Sequence, residues 1–201
     1  SAYGWFNVFL LMLIFGGIIL DKMGVRFTGM GACILMVLGC GLKYYAISTT
    51  FPEGALIMGF KTQVFLAALG YAIFGVGVEI AGITVSKIIV KWFKGREIAL
   101  AMGSEMALAR LGVATCMIFS PFFAKLGGQV DVSRSVAFGV VLLMIALIMF
   151  IVYFFMDKKL DAQTGEAEEK DEPFKIKDIG KILSSGGFWL VALLCVLYYS
   201  A

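Results

Sequence analysis

The sequence predicts an all-α, polytopic membrane protein. Three observations predict it. Hydrophobic residues make up 61% of the 201 residues and charged residues 15%, against roughly 45–50% and about 25% in soluble domains. Mean hydropathy is +0.95. The apolar residues also fall in runs of about 20 separated by short charged segments, the length a helix needs to cross a bilayer. The 24 glycines fit the same reading, since transmembrane helices carry more Gly than soluble ones.

The spans follow in order. Tyr3–Leu20 is the first apolar run and Thr28–Ile47 the second. Val64–Trp92 is long and Gly-rich. Ile98–Leu126 carries Pro121 near its far end, where a kink is expected. Val136–Met156 is the fifth span, and a sixth starts near Gly187. The chain begins and stops inside apolar sequence, which reads as part of a longer protein. The expected division is a transmembrane bundle over 1–156, a linker over 157–185 and a further helix starting at 186. Within the linker, Asp157–Glu172 is acidic and polar and should be flexible. In Pro173–Ser185, Phe174, Ile176, Ile179, Ile182 and Leu183 recur at near-helical spacing between lysines, which predicts a short amphipathic helix on the membrane surface.

Charge sets the orientation. Eleven of the 17 Lys and Arg residues lie in Asp21–Arg26, Lys91–Glu97 and Asp157–Ser185, and four lie in the alternate segments. The positive-inside rule places the first set in the cytoplasm. The net charge of +3 is too small and too scattered to predict nucleic-acid binding. Histidine is absent, which removes imidazole acid–base chemistry and imidazole metal sites. Cys33, Cys40, Cys116 and Cys195 sit in apolar runs without CxxC spacing and read as small buried hydrophobes. No enzyme, cofactor or metal is expected.

Charge inside a span is costly and marks function. Glu79 lies 13 residues before Trp92, and Arg110 lies 12 after Ile98. At about 1.5 Å per residue each is roughly 18–20 Å from the same end of its helix. An acid and a base at one depth suit either a tethering ion pair or the two ends of a zwitterion. Lys87 and Glu105 are candidate gating or coupling residues. They are close enough to one end to pair, and Lys87 can instead snorkel to the headgroups, the reading favoured on sequence.

The run Gly17-Ile-Ile-Leu-Asp21-Lys22-Met-Gly24-Val-Arg26 resembles the signature loop of the major facilitator superfamily. Gly17 should let helices approach, Gly24 should permit a tight turn, and Asp21 should pair with basic groups or a helix N-terminus of the neighbouring half. Such a contact would hold one conformational state and break in another, with Lys22 and Arg26 in the same switch loop. Tyr3-Gly-Trp5-Phe-Asn7-Val8, Gly75-Val-Gly77-Val-Glu79, Trp92-Phe93-Lys94-Gly95-Arg96-Glu97, Met106-Ala-Leu-Ala-Arg110-Leu-Gly112, and Phe188-Trp189 with Tyr198-Tyr199 resemble the lysosomal dipeptide uniporter branch. The resemblance implies helices two to six and the start of helix seven of a twelve-helix fold built from 3+3 inverted repeats. The first helix and most of the C-terminal half would be its missing partners.

It also implies transport of a small zwitterionic solute, a dipeptide, by alternating access in the lipid bilayer. Glu79 and Arg110 fall on its substrate-binding positions. The membrane would be lysosomal in an animal and the plasma membrane in a bacterium. Two features depart from superfamily patterns. Leu69-Gly70-Tyr71-Ala72 stands where many members carry an Arg, which counts against proton coupling through that group. Pro121 lacks the flanking glycines of drug antiporters. A proton-coupled organic-anion carrier and a non-transporting receptor or scaffold of the same fold are the alternatives.

Overall fold

In the computed structural model of the 201-residue chain, the described residues are 12–49, 56–57, 60–93, 97–125, 128, 130–164 and 184–200. They form helices α1 (Met12–Ser48), α2 (Thr62–Trp92), α3 (Ile98–Lys125), α4 (Val132–Thr164) and α5 (Gly186–Ser200), with two-residue strands β1 (Leu56–Ile57) and β2 (Phe60–Lys61) before α2. The strands pair antiparallel, Leu56 opposite Lys61 and Ile57 opposite Phe60. Four of these helices, α1 to α4, are long and apolar enough to cross a membrane. Residues 1–168 and 169–201 form two compact units, and α5 belongs to the second.

The first two predicted spans meet within α1. Gly24 has φ 76° and ψ 168°, so it divides the element into arms 12–23 and 25–48. Only glycine takes that φ without steric cost. The first arm runs along α2 in the same direction: a Cβ on Gly16 would lie 3.2 Å from Ile80 and Ile83 side chains, and Asp21 reaches Lys87 farther along. The second arm runs back against α2, with Ala32 beside Gly77 and Gly39 beside Gly70.

Small residues at a spacing of seven make that second crossing. Val25, Ala32, Gly39 and Ala46 on α1 face inward, as do Gly70, Gly77 and Thr84 on α2, and all seven are buried. The backbones touch. A Cβ on Gly39 would stand 2.4 Å from the Phe74 nitrogen and 2.7 Å from the Gly70 oxygen; one on Gly70 would stand 2.8 Å from the Lys43 nitrogen. In a bilayer, where lipid is as apolar as leucine, this close packing is what holds helices together. Gly29 then receives the Phe150 ring of α4, so α4 seats on the same arm.

α3 is different. None of its described residues is buried, and it packs chiefly on α4. Cys116 on α3 is exposed rather than buried as expected; Cys33 is buried and Cys40 half-buried. The helix runs through Pro121 to Lys125. At the α3–α4 turn, Asp131 accepts hydrogen bonds from the Ser133 N–H and hydroxyl. Those bonds hold its carboxylate below the ordinary range, with Arg134 adding to the effect. The predicted amphipathic helix over Pro173–Ser185 falls almost wholly outside the described residues.

The largest departure from expectation is the end of α4. It continues to Thr164, eight residues past Met156, into sequence expected to be a flexible linker. Its two added turns carry carboxylates that bind other helices, and these contacts offset the low intrinsic helix propensity of Asp.

Candidate functional site

Most of the described ion pairs gather at the Gly24 end of the first unit. α4 presents Tyr153, Asp157 and Asp161 four residues apart, hence on one face. α2 presents Lys87 and Lys91 at the same spacing, and Arg26 opens the second arm of α1. Asp157 is completely buried. Its Oδ2 takes Lys91 Nζ at 2.8 Å and Arg26 Nε at 3.4 Å. Its Oδ1 accepts from Trp92 Nε1 at 3.0 Å and from the Tyr153 hydroxyl at 3.1 Å. Asp161 takes Arg26 at 2.7 Å and Lys91 at 2.9 Å. Beside this cluster, Lys87 Nζ pairs with Asp21 at 3.0 Å.

The arrangement is balanced. Arg26, Lys87 and Lys91 face Asp21, Asp157 and Asp161, three charges of each sign. A buried carboxylate is tolerated only when paired and hydrogen-bonded, and Asp157 has both kinds of support. Trp92 and Tyr153 pack ring against ring, centroids 6.0 Å apart, and Phe150 lies 5.3 Å beyond Tyr153. These aromatics pack in a row beside the cluster. The cluster ties α1, α2 and α4 together at one end, so that end separates only by breaking charged contacts.

The switch-loop residues divide. Asp21 pairs with Lys87 of its own bundle, and Arg26 joins the buried cluster. Lys22 is exposed. Near the loop, the close approach among the described residues is at Gly16; nothing among them lies within 4 Å of a Cβ placed on Gly17, a helix turning successive positions by about 100° onto different faces. Lys87 turns to Asp21 instead of snorkelling to headgroups, a carboxylate at 3.0 Å being within its reach. Of the in-span residues, Glu79 is half-buried on α2, Glu105 half-buried on α3, and Arg110 lies on an exposed face of α3. Among the described residues, no group of three or more Cys, Asp and Glu gathers to hold a metal.

No site role was expected from sequence for Asp157, Asp161, Lys91, Trp92 or Tyr153. The signal was present: Tyr153-x₃-Asp157-x₃-Asp161 continues the period of the apolar span before it, and Lys87-x₃-Lys91 mirrors it in charge. Acidic composition after Met156 masked that period.

Bilayer-length apolar helices, closed on one another through glycine and tied at one end by ion pairs, define an integral, polytopic helical membrane protein. The chain belongs to the Major Facilitator Superfamily, whose pattern matches residues 1–201, and its helices form part of that fold's bundle. It is 28% identical over 208 residues to the lysosomal dipeptide transporter MFSD1 of Danio rerio, covering 99% of this chain and 42% of that protein. It is 27% identical to the Homo sapiens protein of the same name, covering 99% of this chain and 41% of the relative. The Gallus gallus protein of that name is 28% identical over 159 residues, 75% of this chain and 35% of the relative. The chain thus spans about two fifths of the length of the relatives it matches fully. No solved structure matches it. These relatives all carry the name of a transporter.

Proposed function

We propose that the protein to which this chain belongs carries small zwitterionic solutes, dipeptides in particular, across a membrane by alternating access. The observation that carries the reading is the matched position of Glu79 and Arg110. α2 ends at Trp92 and α3 begins at Ile98, so each group stands roughly 18–20 Å along its helix from the same turn, near the centre of a bilayer. The names of the relatives point to the same substrate class. Glu79 takes the ammonium of the solute. Arg110 takes the carboxylate through its two-pronged donor fork, from a helix that presents it on an exposed face. The substrate is thereby recognised by its ends, a span of roughly 6–7 Å for a dipeptide.

The cluster at the Gly24 end serves as the conformational switch on the cytoplasmic side, with Gly17, Asp21, Lys22, Gly24 and Arg26 in its loop and Lys87 and Glu105 in gating or coupling roles. The first helix and C-terminal half of the full protein complete the cavity. In an animal the membrane is lysosomal. Ligand-induced stabilisation of the full-length protein tests the reading, because a bound solute raises the melting temperature by mass action. Dipeptides should stabilise the wild type and should fail to stabilise Glu79→Gln or Arg110→Ala. Stabilisation of both variants equal to wild type would refute it.

A further inference from the structure

Three acids and three bases neutralise one another in the cluster at the Gly24 end, yet that end carries more cations. Lys22, Lys158 and Lys159 are exposed, and no acidic partner faces them among the described residues. Two of the three sit on α4, where their position on the helix is informative.

Val141, Ile145, Ile148, Val152 and Phe155 form one stripe along α4. At 100° per residue all lie within about 40° of the Val141 direction, an arc of about 80°. All five are exposed, Phe155 at 65%, and they lie about 180° around the helix from Phe150, whose ring packs on Gly29 of α1, so the stripe faces away from α1. The next position on it is Lys159. From Val141 to Lys159 is 18 residues, about 27 Å of helix, close to the roughly 30 Å of a hydrocarbon core. Asp157 and Asp161 point the opposite way, about 160–200° around the axis, into the buried cluster. The last turns of α4 therefore bind protein on one face and end an exposed apolar stripe with a lysine on the other. Lys158 stands beside it.

We propose that Lys159, with Lys158, docks the phosphate of an anionic phospholipid headgroup on the outer face of α4. The acyl chains of that lipid lie along the near half of the stripe, from Phe155 to Ile148, because one leaflet is about half of the roughly 30 Å core. The occupant is a lipid and not free phosphate, because the cations stand at the end of an apolar surface as long as a leaflet pair is thick. A headgroup held there also supports the helical extension that carries Asp157 and Asp161 into the cluster.

Full-length protein in mixed nanodiscs of phosphatidylglycerol and phosphatidylcholine, released for native mass spectrometry, tests the proposal. The wild type should retain phosphatidylglycerol in preference to phosphatidylcholine. Each lysine near a charged lipid surface is worth about a factor of five, so Lys158→Gln/Lys159→Gln should lower that preference about 30-fold. Lys158→Arg/Lys159→Arg should keep it, and this second variant retains the charge in case the glutamine pair disturbs folding. Equal retention of the two lipids by the wild type, unchanged preference in the glutamine pair, or loss of it in the arginine pair would each overturn the proposal. Displacement of the bound lipid by millimolar inorganic phosphate would overturn it too, by showing a site for the free anion.

Discussion

Replacing Asp157 by Asn probes the cluster at its centre. The substitution keeps size and shape and removes one buried charge. The amide oxygen can still accept from Trp92 and Tyr153, but the amide nitrogen then faces Lys91 Nζ and Arg26 Nε, donors against a donor. Breaking a buried pair by removing one partner costs about 3–5 kcal/mol. Here Asp161 still holds both cations, and Arg26 and Lys91 keep 23% of their side-chain surface exposed, so part of the loss is recovered. About 2–3 kcal/mol remains. For a chain of this size that corresponds to a melting temperature lower by about 5–10 °C, read by intrinsic fluorescence in a mild detergent. Asp161→Asn should cost less, because Asp161 is 13% exposed and water replaces part of its pairing. An Asp157→Asn protein melting with the wild type would refute the claim that the buried carboxylate organises this end of the bundle.

Three further outcomes follow from the same geometry. Gly39→Ala must push the second arm of α1 away from α2, since its Cβ would meet the Phe74 nitrogen at 2.4 Å; overpacking of this kind costs typically 1–3 kcal/mol, against no measurable loss for Gly31→Ala, where space is open, in denaturant titrations. Asp21→Asn should leave the stability within about 1 kcal/mol of wild type, its ion pair being about a third exposed, while slowing solute exchange in proteoliposomes; unchanged exchange would reduce the loop to a turn. Asp131 has a folded pKa below its unfolded value, so its contribution is present above about pH 4 and disappears as pH falls through the folded value. The stability gap between wild type and Asp131→Asn should therefore close on acidification, and a gap independent of pH would contradict the Ser133 hydrogen bonds.

Much of the fold was legible because a bilayer demands long apolar runs, and turns between them announce themselves by charge. Gly24 was readable as a turn since glycine sits between charged residues at a helix boundary, and its positive φ agrees. Boundaries at Trp92 and Ile98 follow from the basic turn Phe93–Glu97. The end of α4 was not legible in the same way. Asp157-Lys158-Lys159-Leu160-Asp161 reads as solvated linker when weighed by composition, and its helical period matters only once Arg26 and Lys91 are known to stand opposite. Asp157 is a long-range residue: apart from Tyr153, its partners lie more than 60 positions away in sequence, and nothing local marks it as buried. Gly16 and Gly17 illustrate the same limit at smaller scale, since a shift of one residue moves a glycine off the contact face.

The central claim is recognition of a solute by both of its charged ends. Uptake into proteoliposomes of the full-length protein, comparing a free dipeptide with its N-acetylated and C-amidated forms, tests it most directly. Glu79 needs an ammonium and Arg110 a carboxylate, so the free dipeptide should enter and each blocked form should not, whatever its side chains. Blocked and free dipeptides entering at equal rates would contradict the account.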